Sequence, residues 1–493
     1  MDSVIAGILS ALSPTSLLFN LIGVIVGITF GAIPGLTATA AIALLLPITF
    51  ELPFSWGFSM LLGIYIGGVY AGSITSILIN TPGTAAGAAT LLEGPALREK
   101  GLAGKALMIT TVASFVGGIF SAIMLIFVAP QLAKIALKFG APEYFALALF
   151  GMSMVVSLSS DNLLKGITAA LLGLLFSTVG LDPVTATIRY TMGNVNLMSG
   201  FNIVPVLIGL FAISQVYFKL NIKDEKIENV DVPKDKVTWQ DIKSNWKHII
   251  RSSVIGTFIG IVPAIGSGAA SFIAYDQAKR FSKKPDDFGK GTLEGIAATE
   301  SANNAVTGGA LIPLLTLGIP GDTVTAVLLG GLVVQGIVPG PMLFSNEKEI
   351  VSGIFTEVIV ANVFMLLIGL LAIRLFVKVL KIPMEVLMPS IVVLCILGGY
   401  AINNSSFDVF ATIFFGVIGA ILIKFKFPLA PMLLAMILST LLESNFRRAL
   451  LMSHGSMMIF VTRPICIVFL IISALVIIST FINNWKKNKL KPI

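Results

Sequence analysis

Residues Gly27–Phe50 read GITFGAIPGLTATAAIALLLPITF. The stretch is apolar all round, as in a segment buried in lipid or protein, yet Pro34-Gly35 cuts it in the middle. A proline lacks the backbone donor and stops a helix. Inside a bilayer, freed backbone groups are tolerated only where the break packs in protein or lines a wet cavity. The chain has 47 glycines and 23 prolines, and several fall in such runs. They predict a built cavity within a helical membrane protein.

Composition agrees. Of 493 residues, 56% are hydrophobic and 12% charged, against roughly 25% charged in soluble domains. A soluble enzyme is excluded. About 276 apolar residues, at ~20 per crossing, allow at most roughly 13 spanning helices. Runs such as 17–33 and 461–482 are far longer than ~10-residue barrel strands and lack their alternation. Net charge is +8, but Lys and Arg sit in short loops, as topology determinants do, so no nucleic-acid partner is expected. Cys395 and Cys466 lie in apolar runs as small buried residues. His248 and His454 are isolated and give no metal-ligand spacing. The N-terminus lacks a basic region before its apolar stretch and reads as the start of the protein rather than a removed signal peptide.

One hydrophilic stretch divides the chain. Lys219 to Arg251 carries 14 of the 58 charged side chains, and it predicts a linker (219–251) with a short surface helix near Trp239–Lys247. It separates a first membrane half (1–218) from a second (252–493).

Comparing the halves exposes a repeat. Gly27-x3-Gly31-x2-Pro34-Gly35 is matched by Gly256-x3-Gly260-x2-Pro263, and the Asn80-Thr81-Pro82-Gly83-Thr84 break by Gly318-Ile319-Pro320-Gly321-Asp322. Pro34 to Pro263 is 229 positions and Pro82 to Pro320 is 238, agreeing to within a loop insertion. Glycine at four-residue spacing is common packing glue; two matched breaks in order are a stronger signal. Loop charges set the orientation. Between its breaks the second half carries Lys279, Arg280, Lys283, Lys284 and Lys290, while the equivalent loop near 50–55 has one Glu. After the second break the pattern reverses: Arg98, Lys100 and Lys105 against Ser345-Asn346-Glu347-Lys348-Glu349. Cytoplasmic loops collect Lys and Arg, so equivalent loops are expected on opposite sides, as in inverted-topology repeats.

A helix interrupted at membrane depth presents an N-terminus with unpaired N–H groups and roughly half a positive charge, which binds anions. Carbonyls of the preceding helix end, with Asn, Ser and Thr oxygens, suit a hard cation. An anionic substrate is therefore expected between the helix starts after Pro34-Gly35, Pro82-Gly83, Pro263 and Pro320-Gly321. Thr37, Ser73, Asn80, Thr81, Gly266, Ser267 and Asn304 supply its neutral groups. In Glu294–Ala305 (EGIAATESANNA), Glu300 and Asn304 share a helix face with Asn303 beside them. A carboxylate at membrane depth is costly and marks a functional site by default. Glu300, Asn303, Thr316 and Asp322 are expected to hold a coupling cation or proton; the alternative for Glu300 is an interfacial pair with Lys290 or Arg280. No other metal and no cofactor is expected. Asp161, Asp182 with Arg189, Asp408, and Glu443 with Arg447 and Arg448 fall at run ends and read as structural.

Gly27–Phe50, Gly63–Thr90 ending in NTPGTAAGAAT, and Glu294–Pro341 together resemble the large membrane subunit of tripartite tricarboxylate transporters, the TctA family. The resemblance covers nearly the whole chain. It implies a non-enzymatic secondary transporter of the bacterial cytoplasmic membrane, taking up di- or tricarboxylates with a Na⁺ or H⁺ gradient. Its implied partners are a small membrane subunit and a periplasmic solute-binding protein. It also implies an elevator-like arrangement of a transport domain and a scaffold. Two departures stand out: Asp322 where the family more usually has a small residue, and Ala264 beside Pro263 where glycine is expected. A stand-alone ion-coupled carrier is the nearest alternative and a channel another. An intramembrane aspartyl protease using Asp276 and Asp322 is a distant one, since two such aspartates must shift each other's pKa and Asp276 adjoins Lys279 and Arg280.

Overall fold

A computed structural model describes residues 2–33, 35–158, 163–220, 237–263, 265–371 and 384–489. Residues 221–236 of the expected linker, Pro34, Asp161 and Ala264 lie outside them. The protein is all-α and polytopic, with one two-residue β-hairpin pair among the described residues, Gly180–Leu181 with Ile188–Arg189. Among the described residues six helices are long and apolar enough to cross a membrane, and seven apolar helices are shorter.

The first half contains α1 (Asp2–Ala11), α2 (Pro14–Ala32), α3 (Ala38–Phe50), α4 (Phe54–Leu78), α5 (Gly87–Thr90), α6 (Gly94–Glu99) and α7 (Ala103–Ala136). After α8 (Ala141–Leu158), α9 (Leu163–Ser177), α10 (Ile203–Ile208) and α11 (Ser214–Leu220) come α12 (Trp239–Ile261), α13 (Gly266–Phe281), α14 (Leu293–Leu317), α15 (Thr323–Val334), α16 (Pro341–Asn346) and α17 (Lys348–Leu371). The expected surface helix at 239–247 is instead the opening of α12, which Thr238 and Asp241 start with a reciprocal capping box. It continues to Ile261 because apolar and small residues follow without a stop signal.

The chain forms two compact units, each drawing on both halves: 1–133 with 219–394, and 134–218 with 395–493. In the second unit Asp182 binds Arg447 at 2.8 Å and also Arg189, and Arg189 reaches Glu443 at 2.9 Å. These charges are mutually paired, as expected of structural residues.

In the first unit small residues dictate the packing. A Cβ on Gly27 would collide with the Ile64 carbonyl, and one on Gly31 with that of Gly68. So α2 and α4 run parallel in close backbone contact. On the other side Gly256 meets the Ala302 carbonyl and Gly260 that of Val306, so α12 and α14 do the same. These contacts repeat at the sequence offsets: 229 from Gly27 to Gly256, 238 from Ile64 to Ala302. Then α3 doubles back along α4, with Ala38 against Gly68 and Thr49 against Gly57; α13 doubles back along α14, Ser271 donating to the Thr299 carbonyl at 3.2 Å. Every residue of α4 from Gly57 to Leu78 and of α14 from Gly295 to Thr316 is buried. These two central helices run antiparallel, as Val69 meets Asn303 while Ser73, further along α4, faces Glu300, earlier on α14.

Candidate functional site

Four interruptions meet in the first unit. The first follows α2, where Ile33 turns extended, Gly35 takes φ 83° and Thr37 caps α3 by accepting from the Ala40 N–H at 3.2 Å. The second follows α4: Asn80 adopts φ 54°, and the chain folds back until the Gly83 N–H donates to the Gly72 carbonyl at 3.2 Å. The third separates α12 from α13, where Gly266 has φ 72° and nothing lies within 4 Å of where its Cβ would be. The fourth begins at Gly318, left-handed at φ 69°, and ends at Asp322, which caps α15.

The breaks close into a ring. A Cβ on Gly83 would sit 2.6 Å from the Gly31 carbonyl and 2.9 Å from Gly72 Cα; one on Gly321 would sit 2.8 Å from the Gly260 carbonyl and 2.6 Å from Ala310 Cα. Such distances admit no side chain, so only glycine lets the first break touch the second and the third touch the fourth. Across the halves, Gly268 abuts Ala85 at van der Waals distance, and the Thr39 and Thr323 hydroxyls lie 3.4 Å apart.

The helix starts around the ring are not equivalent. Thr37 closes α3, and Asp322 closes α15: its Oδ1 accepts from the Thr325 N–H at 2.7 Å and its Oδ2 from the Tyr65 hydroxyl at 2.8 Å. The negative cap therefore faces a positive helix end. α5 is a single turn. α13 starts at Gly266 and Ser267 without a side-chain cap, which leaves its first N–H groups for a ligand.

Beside α5, Glu300 is fully buried (0% exposed). Its Oε1 accepts a short hydrogen bond from the Thr90 hydroxyl. Ser73 and Asn303 face the carboxylate, but Oε2 has no hydrogen-bond partner. The Asn303 amide donates to the Val69 carbonyl at 3.1 Å and the Asn304 amide to Ser114 at 2.7 Å, while both side-chain oxygens lack donors. Three buried acceptors within about one helical turn thus have no donor, where such groups are normally paired. Lys290 and Arg280 do not pair with Glu300: Lys290 is exposed while Glu300 is fully buried, and Arg280 pairs with Asp276 at 2.8 Å.

The structure brings the sequence-derived residues together selectively. Glu300, Asn303 and Asn304 form one cluster with Ser73. Thr316 does not join it: 16 residues along α14, ~24 Å at 1.5 Å per residue, its hydroxyl donates to the Ile312 carbonyl at 2.7 Å. Asp322 is engaged by its cap and by Tyr65. Thr81 donates to the Ile79 carbonyl at 3.3 Å within the second break. Asp276 is an exposed surface ion pair, with no dyad to Asp322. The sequence reading missed Thr90, Tyr65 and Ser114, ordinary helix residues whose roles arise only from long-range packing. It also missed Glu93, whose buried carboxylate accepts from Tyr275 and the Gly289, Gly291 and Thr292 N–H groups at 2.6–2.8 Å.

With this geometry, the family model described as "Tripartite tricarboxylate transporter TctA family" matches residues 17–434. The chain belongs to that family. This TctA-family chain is also 40% identical over 462 residues, 93% of its length and 92% of the relative's, to an "Uncharacterized 52.8 kDa protein in TAR-I ttuC' 3'region" of Agrobacterium vitis. It is 42% identical over 210 residues to a second uncharacterized Agrobacterium vitis protein, in the TAR-II ttuC' 3'region, covering 43% of the chain and 87% of the relative. No solved structure matches it. It is thus a multi-pass membrane protein of a transporter family, of the kind that forms the large subunit of a tripartite system.

Proposed function

We propose that this TctA-family protein takes up a di- or tricarboxylate across a bacterial cytoplasmic membrane by Na⁺ symport, working with a small membrane subunit and a periplasmic binding protein. The observation that carries the reading is the adjacency of an uncapped helix start and an oxygen cluster. The carboxylate is held between the Asn80–Gly83 fold-back and the Gly266–Ser267 start of α13, where N–H groups and hydroxyls balance charge without a fixed base. Na⁺ is held beside it by Glu300, Asn303 and Asn304, hard oxygen donors that otherwise lack partners. Coupling follows because each ion lowers the cost of burying the other. Thr316 and Asp322 contribute to helix geometry instead.

The two halves are read as inverted repeats, supported by antiparallel α4 and α14 and by the offsets shared between glycine contacts and sequence. The 98–105 and 279–290 loops are then cytoplasmic and the 345–349 loop external. The unit holding the breaks is the moving transport body of an elevator, and the other unit is its scaffold.

Uptake of radiolabelled di- and tricarboxylates into proteoliposomes tests the reading, with and without a Na⁺ gradient and with and without both partners. Partner-dependent, Na⁺-driven accumulation supports it. Equal uptake by this chain alone indicates a stand-alone carrier, and gradient-independent current indicates a channel.

A further inference from the structure

Besides Glu300 and Glu93, a third carboxylate is buried in the same unit, and it has no part in the symport proposed above. Glu357 lies in the interior of α17, 3% exposed, nine residues or ~13 Å from the helix start at Lys348. Its Oε2 has no partner. Asn20, on α2 and 1% exposed, donates to the Glu357 carbonyl at 3.2 Å and to Ser59 Oγ of α4 at 3.2 Å. The Asn20 side-chain oxygen has no donor. The Ser59 hydroxyl is committed to the Ser16 carbonyl at 3.3 Å.

Among the described residues no base pairs with the carboxylate. The helices packed against α17 are α1, α2, α4 and α16, with α7 approaching at Gly118. Among the described residues they offer Asp2 at the start of α1, no charged side chain on α2 or α16, Lys105 and Lys134 near the ends of α7, and on α4 only Tyr65 and Tyr70. Those tyrosine hydroxyls are engaged by Asp322 and Thr111. Glu347, Lys348 and Glu349 stand at the outer start of α17. A carboxylate oxygen buried without a partner is unfavourable as an anion, so the group carries a cation or a proton. A metal ion fits poorly. All the polar groups here belong to regular helices whose carbonyls are largely spent within the helix, and the Ser59 hydroxyl is used, so few oxygens remain where a hard cation asks for about six. A proton needs only one.

We infer that Glu357, with Asn20 beside it, is a proton-binding site on the external side of the ring of breaks, opposite the Glu300 cluster on the cytoplasmic side. Only that placement rests on the topology proposed above; the protonation does not. The Asn20 amide reaches the Glu357 main-chain carbonyl, and the proton sits on the carboxyl group whose Oε2 has no partner. Proton release and rebinding at Glu357 give uptake a pH dependence separate from its Na⁺ dependence.

Infrared difference spectroscopy of the purified, reconstituted protein between acid and alkaline pH tests this without any transport. A protonated-carboxyl C=O band in the wild type that is lost in Glu357→Gln and kept in Glu300→Gln is expected. A band unaltered by Glu357→Gln, in protein whose thermal midpoint matches wild type, overturns the proposal. If Glu357→Gln does not fold, ¹³C-carboxyl labelling of wild-type glutamates decides: absence of any protonated glutamate signal apart from Glu300 sinks it. In liposomes, Glu357→Gln should flatten the pH profile of uptake while leaving half-saturation by Na⁺ unchanged. Loss of Na⁺ dependence in the wild type itself would instead count against the proposed symport and leave the infrared result standing.

Discussion

The Thr90 hydroxyl donates to Oε1 of Glu300, tying the helical turn after the second break to the only fully buried carboxylate of α14. That link joins the fold-back expected to hold substrate to the cluster expected to hold the ion. A hydrogen bond to a charged group contributes about 1.5–3 kcal/mol. Thr90→Val should raise the Na⁺ concentration for half-maximal uptake roughly tenfold or more, while Thr90→Ser stays near wild type. Na⁺ titration of initial uptake rates measures both.

Glycines at the ring contacts are fixed by sterics. Forcing a methyl into such a contact costs about 1–3 kcal/mol. Gly83→Ala and Gly321→Ala should each lower the thermal midpoint in detergent and reduce uptake together, because they occupy matching contacts. Gly353→Ala, whose Cβ would have an ordinary 3.5 Å neighbour, should change neither.

Glu93 holds the loop that launches α14. Glu93→Ala leaves one hydroxyl and three backbone N–H groups without their acceptor, at about 1–3 kcal/mol for each buried group that water cannot reach. The chain is expected to lose most of its folded yield, and Glu93→Gln, which keeps one carbonyl acceptor, an intermediate amount. Fluorescence-detected size exclusion reads both.

Orientation is accessible by labelling. With Lys100→Cys and Asn346→Cys introduced separately, a membrane-impermeant maleimide added outside intact cells should modify the second and not the first. Modification of both from one side would disprove the inverted arrangement.

The apolar runs, the four breaks and their offsets were legible in the sequence because proline, glycine and lipid solubility impose them locally. Glu300, Asn303 and Asn304 were legible as a cluster because helix geometry places i, i+3 and i+4 together. Thr316 was misgrouped with them: its chemistry fits, but it lies ~24 Å along the same helix. The surface helix at 239–247 failed for a different reason. Its polar composition belongs to the first turns of α12, and nothing between Lys247 and Ile261 ends that helix. Thr90, Tyr65 and Glu93 carried no local signal, since their partners are 182 or more positions away and only packing joins them.

The most direct test is gradient-driven accumulation in proteoliposomes containing the chain and both partners, comparing wild type with Glu300→Gln. The wild type should concentrate the carboxylate when Na⁺ is high outside. Glu300→Gln should fall at least tenfold toward the level without a gradient, and its residual uptake should no longer respond to Na⁺. Normal accumulation by Glu300→Gln with unchanged Na⁺ dependence would contradict the assignment of Glu300 as the coupling site.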